Sequence, residues 1–177
     1  MENPANGLGK VNKKLTSVEK ATSIILKNIP VLSSHEEIVL NSLGKTLAKP
    51  VTALLSNPPS NVSSMDGYAL KNSDIENGVL EFKVIDESVA GKSSSKTVAT
   101  KQTVRIFTGA KIPLGADRVI LQEDIKRLEH NLIKINKNKL ENKNFFIRKT
   151  GMDFKLGEKL IDKGEVLNTR NISLCVA

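Results

Sequence analysis

The stretch Ser63-Ser64-Met65-Asp66-Gly67-Tyr68-Ala69-Leu70 places a carboxylate, a glycine and the only tyrosine of the protein side by side, just before an apolar run. The run predicts a short strand over residues 68–71. Asp66 can ligate a hard cation or accept hydrogen bonds from a ligand, and Gly67 lets a ligand approach the backbone closely. An Asp-Gly pair is also typical of a simple turn. Spacing alone favours the turn and leaves the functional interpretation open.

Two further segments could bind anions. Residues 105–113 read Arg105-Ile106-Phe107-Thr108-Gly109-Ala110-Lys111-Ile112-Pro113. We expect their small residues to expose backbone N–H groups and the Thr108 hydroxyl to an oxyanion. Later, Arg148 and Asp153 flank Gly151, and an arginine can grip a phosphate through its planar fork. The alternatives are a glycine turn between strands and a surface ion-pair patch.

Composition narrows the function classes. The chain has 177 residues, of which 39% are hydrophobic but only 3% aromatic, so aliphatic side chains must fill the core. Its net charge of +8 is spread along the sequence. That pattern indicates a solvated basic surface or an anionic partner, while nucleic-acid binding would rest on charge alone because stacking residues are few. We find no signal peptide and no apolar run that could span a bilayer, and with one cysteine, Cys175, we expect a cytoplasmic protein.

The residue patterns predict a mostly β protein with an N-terminal helix. Residues 1–14 resemble a flexible leader. A capping box with Thr16 as the N-cap precedes a helix that Pro30 ends. The following segments predict strands around a hairpin turn at His130-Asn131, in a barrel or sandwich rather than a parallel sheet: Tyr68–Lys71, Leu80–Ile85, Thr103–Thr108, Arg118–Gln122 and Leu132–Ile135.

The last part of the chain carries a short internal repeat. Residues 157–161 and 164–167 both begin with Gly-Glu, which predicts a pair of short strands with glycine turns. Thr169 is the expected N-cap of a helix that is still apolar where the sequence stops. We therefore expect the chain to be part of a longer protein.

Several motifs in the same order resemble the N-terminal region of molybdopterin molybdenumtransferases, the MoeA family. The resemblance covers about residues 15–177, and its motifs are Leu43-Gly44-Lys45-Thr46-Leu47-Ala48, Ser63-x-Met65-Asp66-Gly67-Tyr68-Ala69, Ser88-Val89-Ala90-Gly91, Arg105-Ile106-x-Thr108-Gly109-Ala110-x-x-Pro113-x-Gly115-Ala116-Asp117-x-Val119-Ile120, and Arg148-x-x-Gly151-x-Asp153 with Gly157.

The resemblance implies an activity and an architecture. The family inserts molybdate into adenylylated molybdopterin with a divalent cation such as Mg²⁺, and its members are homodimers. It implies an elongated N-terminal dimerisation domain, residues 15–55 and 146–177, interrupted by an inserted β-barrel-like domain, residues 56–145. The active site of the family lies between this second domain and a molybdopterin-binding third domain of the other subunit. We expect that C-terminal domain to be absent from this chain, which would then be inactive alone.

The resemblance also implies roles for individual residues. Asp66, Thr108 and Asp153 are the expected catalytic residues, and Asp66 is also the candidate metal ligand. The expected contacts to substrate or anion are Ser64, Gly109 and Arg148.

The chain departs from the family pattern at three positions. Ser60-Asn61 stand where the family usually has Phe-Asp, and Met152 stands where a glutamate is common. These departures leave a second interpretation open, a non-enzymatic scaffold or interaction module of the same family, as in gephyrin.

Overall fold

The computed structural model describes residues 15–140 and 144–176, and the predicted leader at residues 1–14 lies outside them. The chain divides into two compact units, with the boundary between residues 38 and 39. The first contains helix α1 (Val18–Asn28). The second is mostly strand, which confirms the predicted fold class. Its elements are β1 (Val51–Thr52), β2 (Val62–Ser63), β3 (Gly67–Leu70), α2 (Asn72–Glu76), β4 (Glu81–Ser88), β5 (Gln102–Ile106), β6 (Arg118–Leu121), β7 (Ile125–Arg127), β8 (Leu132–Ile135), β9 (Ile147–Arg148), β10 (Lys159–Ile161) and α3 (Thr169–Val176), with 3-10 turns at Val39–Asn41, Gln122–Asp124 and Lys137–Lys139.

Helix α1 begins one residue later than its capping box predicts. The N-cap is Ser17 and not Thr16, because Ser17 has extended backbone angles and its hydroxyl accepts the N–H of Lys20 at 3.3 Å. The helix ends at Asn28, just before Pro30, as predicted. Its large apolar side chains are exposed.

The second unit is built around a curled, six-stranded mixed sheet with the strand order β6-β3-β5-β4-β8-β7. All neighbouring strands are antiparallel except β4 and β5, which run parallel. The prediction of a barrel or sandwich rather than a parallel sheet did not foresee this one parallel pair. It relied on the absence of helices between the strands, and residues 89–101 connect β4 to β5 without a helix.

The predicted strands are present, and the hairpin at His130-Asn131 is confirmed. Both turn residues have positive φ angles, 57° and 59°, and they lie in the tight turn between β7 and β8, where the N–H of Leu128 donates to the oxygen of Leu132 at 2.8 Å. Strand β7 and helix α2 are among the short elements that are absent from the prediction. Neither shows a clear periodic pattern, because β7 has three residues and α2 has five.

Aliphatic side chains fill both faces of the sheet, as the composition predicts. One face buries a cluster that holds Tyr68, Leu70, Phe82, Ile120, Ile133 and Ile135. The other face buries Ala69, Ile106, Ala110 and Val119. Strand β3 contributes to both clusters and is buried along its whole length.

Short ladders join the segments before and after the sheet. Strand β2 pairs with β9, and β1 pairs with β10. The first Gly-Glu repeat forms β10, but the second makes only an isolated bridge between Val166 and Thr46. The two repeats therefore pair with residues 46–52 and do not form a strand pair with each other. The domain boundaries near residues 55 and 146 stay a prediction.

Helix α3 is capped by a reciprocal asparagine pair. The side-chain oxygen of Asn168 accepts the N–H of Asn171, and the oxygen of Asn171 accepts the N–H of Asn168, both at 3.0 Å. Asn168 is thus the capping residue, and the prediction of Thr169 is off by one residue. None of the helices in the described part of the chain has the length and apolar character needed to cross a membrane.

Candidate active site at the start of strand β3

A glycine brings three strand ends together at the start of β3. Gly67 pairs with Ile106 of β5 on one side and with Leu121 of β6 on the other. A β-carbon on Gly67 would lie only 2.0 Å from the backbone oxygen of Ile120. Only glycine therefore fits at this position, and the approach places Asp66 beside the turn that follows β5.

Asp66 and Thr108 are joined directly. One carboxylate oxygen of Asp66, Oδ1, accepts both the backbone N–H and the hydroxyl of Thr108, each at 2.8 Å. The N–H bond and then the hydroxyl bond from Thr108 lower the pKa of Asp66, and the charge of Arg105 acts in the same direction. The structure thus brings together the first two predicted site residues, with Asp66 held as a carboxylate.

The turn after Thr108 does not offer its backbone donors to an anion. The N–H of Gly109 donates to the backbone oxygen of Ser63 at 2.8 Å, and the N–H of Ala110 donates to the backbone oxygen of Phe107 at 3.0 Å. The expectation of exposed N–H groups at residues 108–110 is therefore wrong, since all three are satisfied within the protein. Anion binding by Gly109 stays a prediction, and it would have to use other atoms.

Ser63 and Ser64 fix the loop that leads to Asp66. The buried Ser63 hydroxyl donates to the oxygen of Met65 at 2.6 Å, which closes a tight turn. The N–H of Ser64 donates to the oxygen of Phe146 at 2.9 Å, and the residue is partly exposed. The role of Ser64 in substrate binding stays a prediction.

A second pair, Arg148 and Asp153, lies on the ladder next to this loop. Nη2 of Arg148 donates to both carboxylate oxygens of Asp153, at 2.6 and 2.7 Å. Arg148 is the register partner of Val62, which also bridges Lys111 in the segment after Thr108. The three predicted loops are therefore neighbours. Within residues 15–140 and 144–176, no hydrogen bond joins this pair to Asp66 or Thr108.

One of the departures from the family pattern has a structural role. The side-chain oxygen of Asn61 accepts the backbone N–H of Thr150 at 3.0 Å and its hydroxyl at 3.3 Å. Asn61 thus holds the turn between Arg148 and Asp153. An aspartate could accept the same bonds, so the departure changes the charge at this position and keeps an acceptor. Met152 is 66% exposed.

Arg105 is a site residue that was not among those predicted from the sequence. It is 9% exposed, and its guanidinium lies 5.0 Å from the ring centre of Tyr68 and 4.7 Å from that of Phe107. A signal was available, because this arginine stands inside an apolar run, between Val104 and Ile106-Phe107. A charge in such a run needs partners.

The side chains that could ligate a metal ion at this site suit at most a weakly bound cation. In the described residues, no three His, Cys, Asp or Glu side chains form a group that could hold a metal ion. The Oδ1 atom of Asp66 takes both bonds from Thr108, which leaves Oδ2 without a hydrogen bond among those residues. Mg²⁺ is commonly bound by one or two carboxylates, with water and substrate phosphates completing its shell. Asp66 fits that arrangement as a single protein ligand.

Residues 16–177 match a family described as the MoeA N-terminal region (domain I and II), and the chain belongs to that family. The relatives are named molybdopterin molybdenumtransferase. The one from Staphylococcus epidermidis strain ATCC 35984 is 34% identical over 171 residues, 89% of this chain and 40% of that protein. The one from Nostoc sp. strain PCC 7120 is 31% identical, covering 92% of this chain and 38% of that protein.

A solved structure gives the same family. The molybdopterin biosynthesis moeA protein from Pyrococcus horikoshii OT3 superposes with a TM-score of 0.78 at 29% identity, over 91% of this chain and 43% of that one. The resemblance read from the motifs is thereby confirmed. The chain spans about two fifths of the length of the relatives it matches.

Proposed function

We propose that this chain forms one wall of the active site of a molybdopterin molybdenumtransferase, which inserts molybdate into adenylylated molybdopterin. The observation that carries the proposal is the double hydrogen bond between Asp66 and Thr108. It joins two motifs that the sequence separates by 42 residues and that spacing alone did not connect. The family membership and the names of the relatives support the same reaction.

The residues have distinct roles in this proposal. Asp66 remains charged and orients the substrate or a cation through Oδ2. The hydroxyl of Thr108 donates to Asp66, so its position is fixed and its oxygen acts toward the substrate as an acceptor. Arg148 and Asp153 provide a neighbouring charge pair in which the guanidinium is partly exposed and can exchange a carboxylate for a phosphate. Ser64 and Gly109 contribute smaller contacts to substrate.

Mg²⁺ is the expected cofactor, and Asp66 is the residue that would hold it. When bound, the ion supplies positive charge to phosphate and oxyanion groups. The carboxylate of Asp66 is suited to this because its hydrogen bonds from Thr108 lower its pKa and fix one of its two oxygens.

The remaining parts of the proposal concern what surrounds the chain. The relatives extend well beyond the region matched here, so we propose that the opposite wall of the site comes from a third domain of a partner subunit. In this arrangement the protein acts as a homodimer in the cytoplasm, without nucleic acid or membrane, and residues 1–177 alone do not catalyse insertion.

The test is molybdate insertion in vitro, measured with the product of the complete reading frame and with residues 1–177 alone. We expect Asp66→Asn to lower turnover by at least about tenfold with only a small loss of thermal stability, because the amide oxygen of asparagine can still accept both bonds from Thr108. Asp117→Asn is the matched control, because its carboxylate lies just before β6 and also accepts a backbone N–H, that of Asn72 at 2.6 Å. Equal activity of wild type and Asp66→Asn would overturn the proposal, and a complete protein without any activity would favour the scaffold alternative.

A further inference from the structure

A buried arginine lies directly behind the Asp66 loop. Arg105 stands on β5 opposite Tyr68 of β3, so both side chains are on the same face of the sheet. Phe107 follows two residues later on that face. The guanidinium lies against both rings, within 5.0 Å of each centre, and is almost completely removed from water. A buried charge of this kind is costly unless its N–H groups have acceptors.

The acceptors of Arg105 belong to the site. Nη1 donates to the backbone oxygen of Gly67 at 3.3 Å, and Nη2 donates to the side-chain oxygen of Gln122 at 2.5 Å. The backbone N–H of Gln122 in turn donates to the backbone oxygen of Asp66 at 3.2 Å. The backbone oxygens of Asp66 and Gly67 therefore each accept a hydrogen bond, from Gln122 and Arg105 respectively. The bond between Arg105 and Gln122 links these two donors into one closed network.

We propose that Arg105 and Gln122 are positioning residues that hold the Asp66–Gly67 backbone so that the Asp66 carboxylate meets Thr108. The role of this network in catalysis rests on the proposed function, whereas its geometry does not. Arg105 touches Gly67, the residue after Asp66, and Phe107, the residue before Thr108. It thus contacts a neighbour of each partner and fixes the two loops relative to one another.

The chemistry of this position requires arginine. The planar guanidinium reaches two acceptors at once and stacks on aromatic rings, while a lysine ammonium is a compact point charge that cannot do both. Lysine would keep the charge and part of the packing, but it would break the link between Gly67 and Gln122. The network therefore predicts that Arg105→Lys fails to restore what Arg105→Met removes.

A second buried arginine on the same sheet provides a matched control. Arg118 of β6 is 7% exposed, its guanidinium lies 5.5 Å from the ring centre of Phe145, and Nη1 donates to the side chain of Asn72 at 2.9 Å. It resembles Arg105 in burial, ring contact and hydrogen bonding. Asn72 belongs to helix α2 and not to the Asp66 loop. Loss of Arg118 should therefore destabilise the sheet without loosening the site.

The experiment measures amide hydrogen exchange in the ¹⁵N-labelled chain. The Thr108 amide reports on its bond to Asp66, and the Ala69 amide in β3 reports on the sheet. We expect Arg105→Met and Arg105→Lys to raise Thr108 exchange relative to Ala69 by about tenfold, the size expected when one hydrogen bond is lost. Gln122→Ala should give a smaller increase in the same direction, and Arg118→Met should leave the ratio unchanged.

The outcomes separate this inference from the proposed function. Equal Thr108-to-Ala69 ratios for the Arg105→Met and Arg118→Met variants would overturn the positioning role, since Arg105 would then only support the fold. If Arg105→Met does not fold, the same comparison is made with Arg105→Lys and Gln122→Ala, and unchanged ratios in both overturn it. A selective increase at Thr108 together with full insertion activity of Asp66→Asn would support the network and refute the proposed function.

Discussion

The carboxylate of Asp66 accepts two hydrogen bonds from Thr108 through a single oxygen, and the other oxygen has no such partner within the described residues. A carboxylate that only closes a turn usually bonds to its own loop. Asp66 instead bonds to a loop 42 residues away and keeps one oxygen for another group. The pair therefore serves both to hold two loops together and to present a charge.

The first prediction concerns the titration of Asp66. Thr108→Val removes the hydroxyl donor and keeps the backbone donor, so the pKa of Asp66 should rise part of the way to the ordinary value of about 3.9. Because the wild-type pKa is lowered, the stability that Asp66 contributes is complete above about pH 4 and is lost as the pH falls through the folded pKa. In Thr108→Val this contribution should be smaller, and its loss should be complete at a higher pH than in the wild type. The measurement is an NMR titration of the Asp66 carboxyl carbon.

Thr103→Val serves as the control for that titration. The buried Thr103 hydroxyl donates to the oxygen of Ala69 at 2.8 Å, so its loss removes a hydroxyl bond from the same sheet without touching Asp66. It should cost about 1 kcal/mol of stability and leave the titration unchanged. A Thr108→Val variant that titrates like wild type would show that the hydroxyl bond does not act on Asp66.

The second prediction is that Gly67 accepts no side chain. Gly67→Ala places a methyl group 2.0 Å from the Ile120 oxygen, and we expect it to lower the free energy of unfolding by about 3 kcal/mol or to prevent folding. Gly78→Ala is the comparison, because that glycine has a positive φ of 79° but open space around it. It should cost only about 1 kcal/mol. Urea unfolding of both variants checks the order, which a smaller effect at Gly67 would contradict.

The third prediction tests the departure at Asn61. Asn61→Asp retains the acceptor for Thr150 and should leave stability almost unchanged. Asn61→Ala removes it and should lower the free energy of unfolding by about 1 kcal/mol. Thermal unfolding of the two variants measures the difference. Equal losses in both would mean that the hydrogen bonds do not hold the turn before Asp153.

The fourth prediction is that the Arg148–Asp153 pair contributes little to stability. Its side chains are 44% and 41% exposed, so a double-mutant cycle with Arg148→Gln and Asp153→Asn should give a coupling below about 1 kcal/mol that salt reduces. The exposed Lys134–Glu81 pair, with a 2.8 Å contact, should behave alike. A coupling above about 2 kcal/mol at Arg148–Asp153 alone would assign the pair to the fold.

Local pattern was sufficient to locate most strands of the fold. Leu132–Ile135 was predicted with its observed bounds, because a hairpin turn precedes it and apolar residues alternate within it. The parallel pairing of β4 with β5 could not be predicted, since it depends on where residues 89–101 return and not on either strand. The caps of α1 and α3 were each misplaced by one residue, because Thr16 and Ser17, like Asn168 and Thr169, are all suitable capping residues.

The site was predictable as residues but not as contacts. Motifs placed Asp66 and Thr108 among the functional candidates, whereas their hydrogen bonds required the register of β3 with β5. Small residues after Thr108 indicated free backbone donors, and the structure gives those donors to Ser63 and Phe107. Sequence shows where donors are, but the three-dimensional path of the chain decides which of them are already used.

The ladders outside the sheet also determine the order in which the protein can fold. The N–H of Leu156 donates to the hydroxyl of Ser56 across 100 residues of chain, and β1 and β10 close a loop of similar length. Closing so long a loop is slow unless the chain between has already become compact. We therefore expect the central sheet to form first and the ladders last. A truncation that removes β9 and β10 should leave a central sheet that still folds. Its β2 segment, which leads to Asp66, would then lack the strand with which it pairs.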